Sequence, residues 1–228
     1  DFSGGIILEN GTLAQGAWNA TLCATNASLI VKNGTVRIFD QNSTSTIPNF
    51  KYNVTVPKNG KMTLEAGQRC HINGSFSGEG NITLTIPYVR TDMMADWSNF
   101  KGNLTVSGNQ FRLCKSIDMT ESTFTLKDGS NMGHFKSGSG NAQSLTSYIG
   151  ALASTGNPTI SNGIYNVGYN NKNSTFTGTI SCNINKYGTG NLTLTGTENT
   201  GILTIHEGAV IANNNSGTIA GTINVMNG

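Results

Sequence analysis

The feature that most constrains the fold of this chain is a repeated pattern of short alternating runs, each closed by a glycine or asparagine turn. The pattern is clearest over residues 187–214. Apolar positions there fall in three short runs, at Leu192 and Leu194, at Ile202 to Ile205, and at Val210 with Ile211. Three such strands cannot bury their apolar side alone, so similar sets must stack above and below them. The pattern therefore predicts one turn of a solenoid.

Earlier segments repeat this form. Asn-Gly turns at residues 10–11 and 33–34 are 23 residues apart (33 − 10), which suits the perimeter of one β-helix rung. The repeats predict an all-β fold, a right-handed single-stranded parallel β-helix of about ten rungs. A β-sandwich is the alternative, because short strands with turns would also build one.

A Phe-x-Gly element recurs in front of several strands. Its phenylalanine is predicted to point inward as a plug, with all copies stacked in one column and the glycine permitting the corner. The four copies begin at Phe2, Phe76, Phe100 and Phe176.

The composition is typical of a fold with many short strands, and it limits the classes of binding partner. Charged residues make up 11% and aromatics 7%, whereas glycine fills 29 positions. A formal charge of +2 without any Lys/Arg run argues against nucleic acid as a partner. No run of eighteen apolar residues is present, so no membrane-spanning segment is expected. The chain begins in the middle of the pattern, which predicts a single β-helix domain over residues 1–228 from a longer exported protein with flanking domains.

Four segments interrupt the pattern and are predicted to leave the solenoid as loops. They are residues 40–49, 57–60, 87–99 and 136–146. Residues 142–153 have the composition of a short amphipathic helix, but Gly150 inside them favours a strand with a kink.

The C-terminal repeats resemble a known family. The run Lys186-Tyr-Gly-Thr-Gly-Asn-Leu-Thr-Leu-Thr-Gly196, with similar segments at 165–171 and 174–180, is similar to the autotransporter-associated β-strand repeat of passenger-type domains. Such repeats also occur in secreted or surface proteins of gut Bacteroidetes. The resemblance is good over 149–216, looser over 1–13 and 72–108, and weak over 38–70. Tyr187 departs from it, since lysine or threonine is usual there, as does the interruption at 86–99.

This resemblance implies a right-handed parallel β-helix that is secreted or attached to the cell surface at the outer membrane. The family carries no catalytic motif, so none is transferred to this chain.

Cysteine spacing bears on disulfides. Cys23, Cys70 and Cys114 are separated by 47 (70 − 23) and 44 (114 − 70) residues, about two rungs each. In a shared column their Cα atoms would lie roughly 9.6 Å apart, beyond the roughly 7 Å that a disulfide allows. Free, mostly buried thiols are therefore predicted. Cys182 alternates with Ile180 and Ile184 and is expected to face the core.

Metal, cofactor and mineral sites find little support. The three histidines, His71, His134 and His206, are far apart and have no ligand-type neighbours at metal-binding spacing, so neither a metal nor a cofactor is predicted. Outward threonines, as in residues 192–195, could form a flat ice-binding or mineral-binding face. Thr-x-Thr pairs do not recur in one register, which argues against such a face.

One charged and aromatic cluster is the candidate ligand site. It comprises Tyr88, Arg90, Asp92, Asp96 and Trp97, with Arg112 and Lys115 about one rung later. In the first hypothesis, Tyr88 and Trp97 stack on a sugar ring within a non-catalytic module for adhesion, glycan contact or a structural stalk, whose partner is a carbohydrate or a host surface.

The alternative is a polysaccharide lyase or glycoside hydrolase that acts on an acidic glycan. Arg90 and Lys115 would supply the base, while Asp92 and Asp96 would hold calcium. A third interpretation is structural: Trp97 covers the flank of the helix while the charges stay solvated. The absence of convergent carboxylates elsewhere in the sequence favours the non-catalytic module.

Overall fold

The computed structural model describes residues 4–17, 20–22, 27–38, 47–67, 69–196, 199–213, 219 and 221–226. These residues form 22 strands and contain no helix. The strands, in chain order, are β1 (Ile6–Leu8), β2 (Thr12–Ala14), β3 (Ser28–Val31), β4 (Asn33–Arg37), β5 (Asn49–Phe50), β6 (Asn53–Thr55), β7 (Lys61–Glu65), β8 (Arg69–Ile72), β9 (Ser75–Gly78), β10 (Asn81–Met93), β11 (Asp96–Phe100), β12 (Asn103–Leu113), β13 (Asp118–Leu126), β14 (Asn131–His134), β15 (Thr146–Ser154), β16 (Thr159–Val167), β17 (Ser174–Phe176), β18 (Thr179–Lys186), β19 (Leu192–Leu194), β20 (Ile202–Ile205), β21 (Val210–Ala212) and β22 (Thr222–Val225).

The strands stack into a right-handed parallel β-helix of about nine turns, close to the ten that were predicted. Three sheets run along it: β1-β3-β6-β9-β11, a fourteen-stranded sheet along β2-β4-β7-β10-β12-β13-β15-β16-β18-β20-β22, and β17-β19-β21. All pairings between these strands are parallel, as stacked turns require, whereas a β-sandwich would be built from antiparallel pairs. The sandwich alternative is therefore wrong.

The core consists of apolar columns, to which each turn contributes one side chain per column. Because strand side chains alternate, every second residue points inward, and the register places like residues above one another. One such column, with every side chain at most 2% exposed, is Met62, Ile82, Leu104, Phe124 and Leu152.

The phenylalanine plugs are buried as predicted, but they do not share a column. Phe76, Phe100 and Phe176 are each at most 1% exposed, while Phe2 lies outside the described residues. Phe100 is in register with Gly78, and Phe176 with Leu194. The single column fails because residues in register on β9 and β11 are 21 (96 − 75) or 22 (100 − 78) positions apart, whereas Phe76 and Phe100 are 24 apart. Phe76 therefore stacks on Trp97, and Phe176 lies in the separate sheet of β17.

The predicted loops have mixed outcomes. Residues 57–60 and 136–145 do lie outside the strands, and Thr146 already begins β15; residues 40–46 lie outside the described part of the chain, and Asn49 begins β5. The loop predicted over 87–99 is wrong, because β10 continues to Met93 and β11 starts at Asp96. The turn absorbs its extra residues as a bulge, in which three residues between Ile86 and Arg90 face a single one on β12.

Gly150 lies inside a strand, as predicted, where two turns approach closely. Opposite it, the register of β13 shifts between Met119 and Thr123. A Cβ at Gly150 would lie 2.4 Å from the carbonyl oxygen of Ser122 and 2.5 Å from that of Thr120. Only glycine fits this approach without a backbone shift.

The thiols follow the prediction wherever they are described. Cys70, Cys114 and Cys182 are free, and Cys70 and Cys182 are buried; Cys23 lies outside the described residues. The register of Cys70 continues through Thr91 to Phe111 on the next two turns, so Cys114 does not share its column. Burial raises the pKa of the Cys70 thiol to about 12, which keeps it protonated and unreactive at neutral pH.

Candidate functional site

The charged cluster is built by strand register. His71 on β8, Asp92 on β10 and Arg112 on β12 are aligned on three successive turns. Arg90 lies two residues before Asp92 and therefore points to the same side of the strand. Parallel stacking thus brings together side chains that are about twenty residues apart in the sequence.

The Asp92 carboxylate is 1% exposed and lies under the loop of residues 136–145. Its Oδ2 accepts hydrogen bonds from the Gly138 amide at 2.8 Å and from the Ser137 hydroxyl at 3.2 Å. His71 Nε2 lies 3.5 Å from Oδ2, and Arg90 Nε lies 3.6 Å from Oδ1. Oδ2 thus holds the loop, whereas the buried Oδ1 accepts no hydrogen bond among the described residues.

Arg112 holds the same loop from the next turn. Its Nε donates to Gln110 Oε1 at 2.6 Å, and its Nη1 donates to the carbonyl oxygen of Ser139. The guanidinium also lies over the Phe135 ring, 5.1 Å from its centroid. We call Asp92 and Arg112 the loop clasp.

Opposing effects set the pKa of Asp92. Burial alone would raise this pKa, but the His71 imidazole, the Gly138 amide and the Arg90 charge together hold it below the usual Asp value. Burial also lowers the pKa of Arg112 from its ordinary value. Asp92 is therefore ionised in the folded protein at neutral pH, which suits a carboxylate that accepts two hydrogen bonds.

Trp97 does not belong to this site. It is 1% exposed, its ring stacks on Phe76 at 4.1 Å with an interplanar angle of 5°, and its Nε1 donates to Met93 Sδ. Sugar stacking by Trp97 is thus wrong, because both its apolar surface and its polar edge are used in the core. Its burial agrees with the structural interpretation in part only, because Asp92 and Arg112 are buried and not solvated as that interpretation expected.

The other predicted residues remain at the surface. Tyr88 is 60% exposed on the bulge of β10. Asp96 is exposed and accepts a hydrogen bond from the Ser98 amide. Hydrogen bonds from Ser98 lower the pKa of Asp96, and the charge of the exposed Lys115 adds to this effect. The loop covers Asp92 but not Asp96, so only the Asp92 carboxylate bonds to the loop. Among the described residues, no three His, Cys, Asp or Glu side chains are grouped as metal ligands.

A second polar feature, which the sequence interpretation missed, is a column of threonines in register. It runs through Thr12, Thr35, Thr63, Thr83, Thr105 and Thr125. Single threonines thus recur in one column, whereas Thr-x-Thr pairs do not, since Thr85 is in register with Glu65 and Ser107. The sequence hides the column because turns differ in length, from 20 residues (83 − 63) to 28 (63 − 35). We call the outward side of β2, β4, β7, β10, β12 and β13 the ladder face.

A column of mostly asparagines runs beside these threonines. Asn33, Lys61, Asn81, Asn103 and Thr123 are in register. Asn33 Nδ2 donates to Asn10 Oδ1 at 2.8 Å, and Asn103 Nδ2 donates to Asn81 Oδ1 at 2.7 Å. These amide-to-amide hydrogen bonds run along the solenoid and hold the asparagine side chains in place.

A shallow open groove of about 360 Å³ lies on the ladder face. Within the described part of the chain, the hydroxyl groups of Thr35, Thr63 and Thr83 have no hydrogen-bond partner, and Lys61 forms no ion pair. The lining residues are Asn33, Gly34, Thr35, Lys61, Met62, Thr63, Asn81 and Thr83. The groove therefore presents unengaged donors and acceptors on three successive turns.

An aromatic stack on the later turns accounts for Tyr187. Tyr169 and Tyr187 stack with centroids 5.0 Å apart, and Tyr187 stacks on His206 at 4.3 Å with an interplanar angle of 5°. Tyr148 extends the row at 6.2 Å from Tyr169, with a tilted ring. The Tyr187 ring contacts rings on both sides, so its departure from the repeat pattern has a packing reason.

Lys186 is another charged residue whose side chain is buried and bonds within the protein. It is 1% exposed, and its Nζ donates to the carbonyl oxygens of Tyr187, Gly188 and Glu207 at 2.5, 2.6 and 3.2 Å. Burial lowers its pKa from the ordinary lysine value. The ammonium group thus donates to carbonyl oxygens at the corners of the turns, where, among the described residues, no neighbouring strand provides a hydrogen-bond donor.

Comparisons with protein-family models, with curated proteins and with solved structures gave no match to this chain. The β-solenoid is established by the structure, whereas membership of the autotransporter-associated repeat family and an origin in Bacteroidetes stay predictions. Within the described ranges, no helix is long and apolar enough to cross a membrane.

Proposed function

We propose that this chain is a non-catalytic β-helix module of a secreted or cell-surface protein, which acts as a rigid spacer and contacts glycans through its side. The supporting observation is that the two buried charged residues of the predicted ligand site, Asp92 and Arg112, bond to the loop of residues 136–145. Asp92 is 1% exposed and accepts two hydrogen bonds from the loop, and Arg112 donates to the same loop.

The contact surface in this proposal is polar and extended. Threonine hydroxyl groups repeat on the ladder face at every turn from β2 to β13, with asparagine amides beside most of them. Tyr88 is exposed on the same sheet, on the bulge that follows Ile86. Repeated hydrogen-bonding groups beside an exposed ring suit a polymer of sugars, which presents hydroxyl groups and apolar ring faces.

A glycan-array screen of the purified chain, followed by an absorbance assay on each glycan that binds, tests this function. We expect binding with no ultraviolet-absorbing product, and weaker binding after Tyr88→Ala. Trp97→Phe, which keeps an aromatic ring in the core, is the control and should bind as the wild type does. Release of unsaturated product would establish a lyase and overturn the proposal, and so would a failure to bind any glycan.

A further inference from the structure

We propose that the groove on the ladder face binds an acidic, extended, β-linked glycan whose chain lies along the solenoid axis, with one sugar per turn. This inference rests on the proposed glycan-contacting function and assigns it a site and a class of ligand. The central residues of the site are Lys61, Thr63 and Thr83, with Asn33, Thr35 and Asn81 beside them.

Periodicity provides the first argument. Successive turns of a parallel β-helix are about 4.8 Å apart, and the six threonines from Thr12 to Thr125 span five such steps, roughly 24 Å. Each pyranose in an extended β-1,4-linked chain advances the polymer by nearly the same distance as one turn. A glycan along the column would therefore meet an equivalent hydroxyl group at every sugar.

The unengaged groups in the groove provide the second argument. The hydroxyls of Thr35, Thr63 and Thr83 have no partner among the described residues, although each belongs to a well-paired strand. The neighbouring amide of Asn33 is fixed by its bond to Asn10. Rigid strands hold these groups in place, so a ligand would lose little free energy to side-chain ordering.

Charge provides the third argument. Lys61 occupies a position where the adjoining turns carry Asn33 and Asn81, and it makes no ion pair within the described ranges. Arg37 on the same face is neutralised by Glu65. The groove thus holds one free positive charge, which favours a carboxylate on the ligand. The same charged groups make this face unlike the flat, uncharged surface that an ice lattice would need.

The test is calorimetric titration of the intact chain with two matched probes, a β-1,4-linked hexamer of glucuronate and the uncharged cellohexaose. These probes differ only in the group at C6. We expect the glucuronate hexamer to bind about two- to fivefold more tightly than cellohexaose, as one exposed ion pair allows. Lys61→Gln should abolish this preference.

Thr63→Val with Thr83→Val removes two hydroxyl groups and keeps the β-branched shape. Each lost hydrogen bond should weaken binding by about fivefold. Thr193→Val, on β19 in another sheet, is the matched control and should leave the affinity unchanged. Far-ultraviolet circular dichroism verifies that each variant is folded.

The possible outcomes distinguish a failure of this inference from a failure of the proposed function. If the double threonine variant and Lys61→Gln bind the glucuronate hexamer as the wild type does, the glycan site lies elsewhere and the inference is overturned while the proposed function stands. The same holds if array glycans bind but neither hexamer does. If no glycan binds in either experiment, both are overturned.

Discussion

Trp97 and Tyr88, nine residues apart, have opposite environments. Trp97 stacks on Phe76 and contacts Phe100 edge-on at 5.5 Å, whereas Tyr88 is 60% exposed on a bulge. Both are aromatic residues in a polar stretch, so composition alone does not distinguish them. Register distinguishes them: Trp97 follows Asp96, which is aligned with Ser75, and so stacks on Phe76, whereas Tyr88 lies in the bulge after Ile86.

Replacing Trp97 by alanine should lower the free energy of unfolding by about 3–5 kcal/mol, because the change leaves a cavity in a stacked aromatic core. Tyr88→Ala should change it by less than about 0.5 kcal/mol, since this side chain is largely in solvent. Urea unfolding followed by circular dichroism measures both. Similar effects for the two variants would contradict the assignment of Trp97 to the core.

At the scale of elements, the loop of residues 136–145 is the clearest addition to the regular turns. It follows β14, and a backbone amide and a hydroxyl group from it bond to Asp92 across more than forty residues of sequence. Arg112 fixes the next part of the loop through the Ser139 carbonyl. The loop is thus held over a sheet by the same charged groups that suggested a ligand site.

Asp92→Asn should destabilise the folded chain by about 2 kcal/mol at neutral pH, the usual contribution of hydrogen bonds to a charged group. It should also increase proteolytic cleavage within residues 137–141. The control is Asp96→Asn, an exposed position whose side chain can still accept the Ser98 amide hydrogen bond.

The pH dependence of this difference has a definite sign. The pKa of Asp92 is lower in the folded protein than its ordinary value of 3.8, so its stabilisation is complete above that value and is lost as the pH falls through the folded pKa. Stability curves of the wild type and Asp92→Asn should therefore converge below about pH 4. A difference that stays constant down to pH 2 would contradict the ionic role of the clasp.

At the scale of the whole molecule, each turn is stabilised mainly by its neighbours, so local stability follows position along the solenoid. In the central strands, β13 buries four of its nine residues and β15 buries six of nine. By contrast, every residue of β22 is exposed, including Ile223 at 50% and Val225 at 71%. This strand pairs with β20 alone among the described strands.

Hydrogen exchange of the 228-residue chain should show that local stability falls from the central strands to β22. Amides in β13 and β15 should exchange slowest, because opening them requires breaking contacts with turns on both sides, while amides in β22 should exchange orders of magnitude faster. Mass spectrometry of peptides from a single digest compares the regions under identical conditions. Equal protection of β22 and β13 would mean that the solenoid unfolds as one cooperative unit.

Parts of this protein follow from the sequence alone. Alternation with period two, as in residues 192–195, together with recurring Asn-Gly turns, is enough to predict stacked parallel turns, because no single turn can bury its apolar side. Local alternation also placed Cys182 in the core between Ile180 and Ile184. These features depend on neighbouring residues only.

The alignment of one turn with the next was decided by the tertiary structure. Turns of unequal length, from 20 residues between Thr63 and Thr83 to 28 between Thr35 and Thr63, are brought into register by bulges and loops whose effect no local pattern records. For this reason the threonine column was missed and the phenylalanine column was wrongly predicted. Both depend on hydrogen bonds between residues far apart in the chain, which form only when the turns stack.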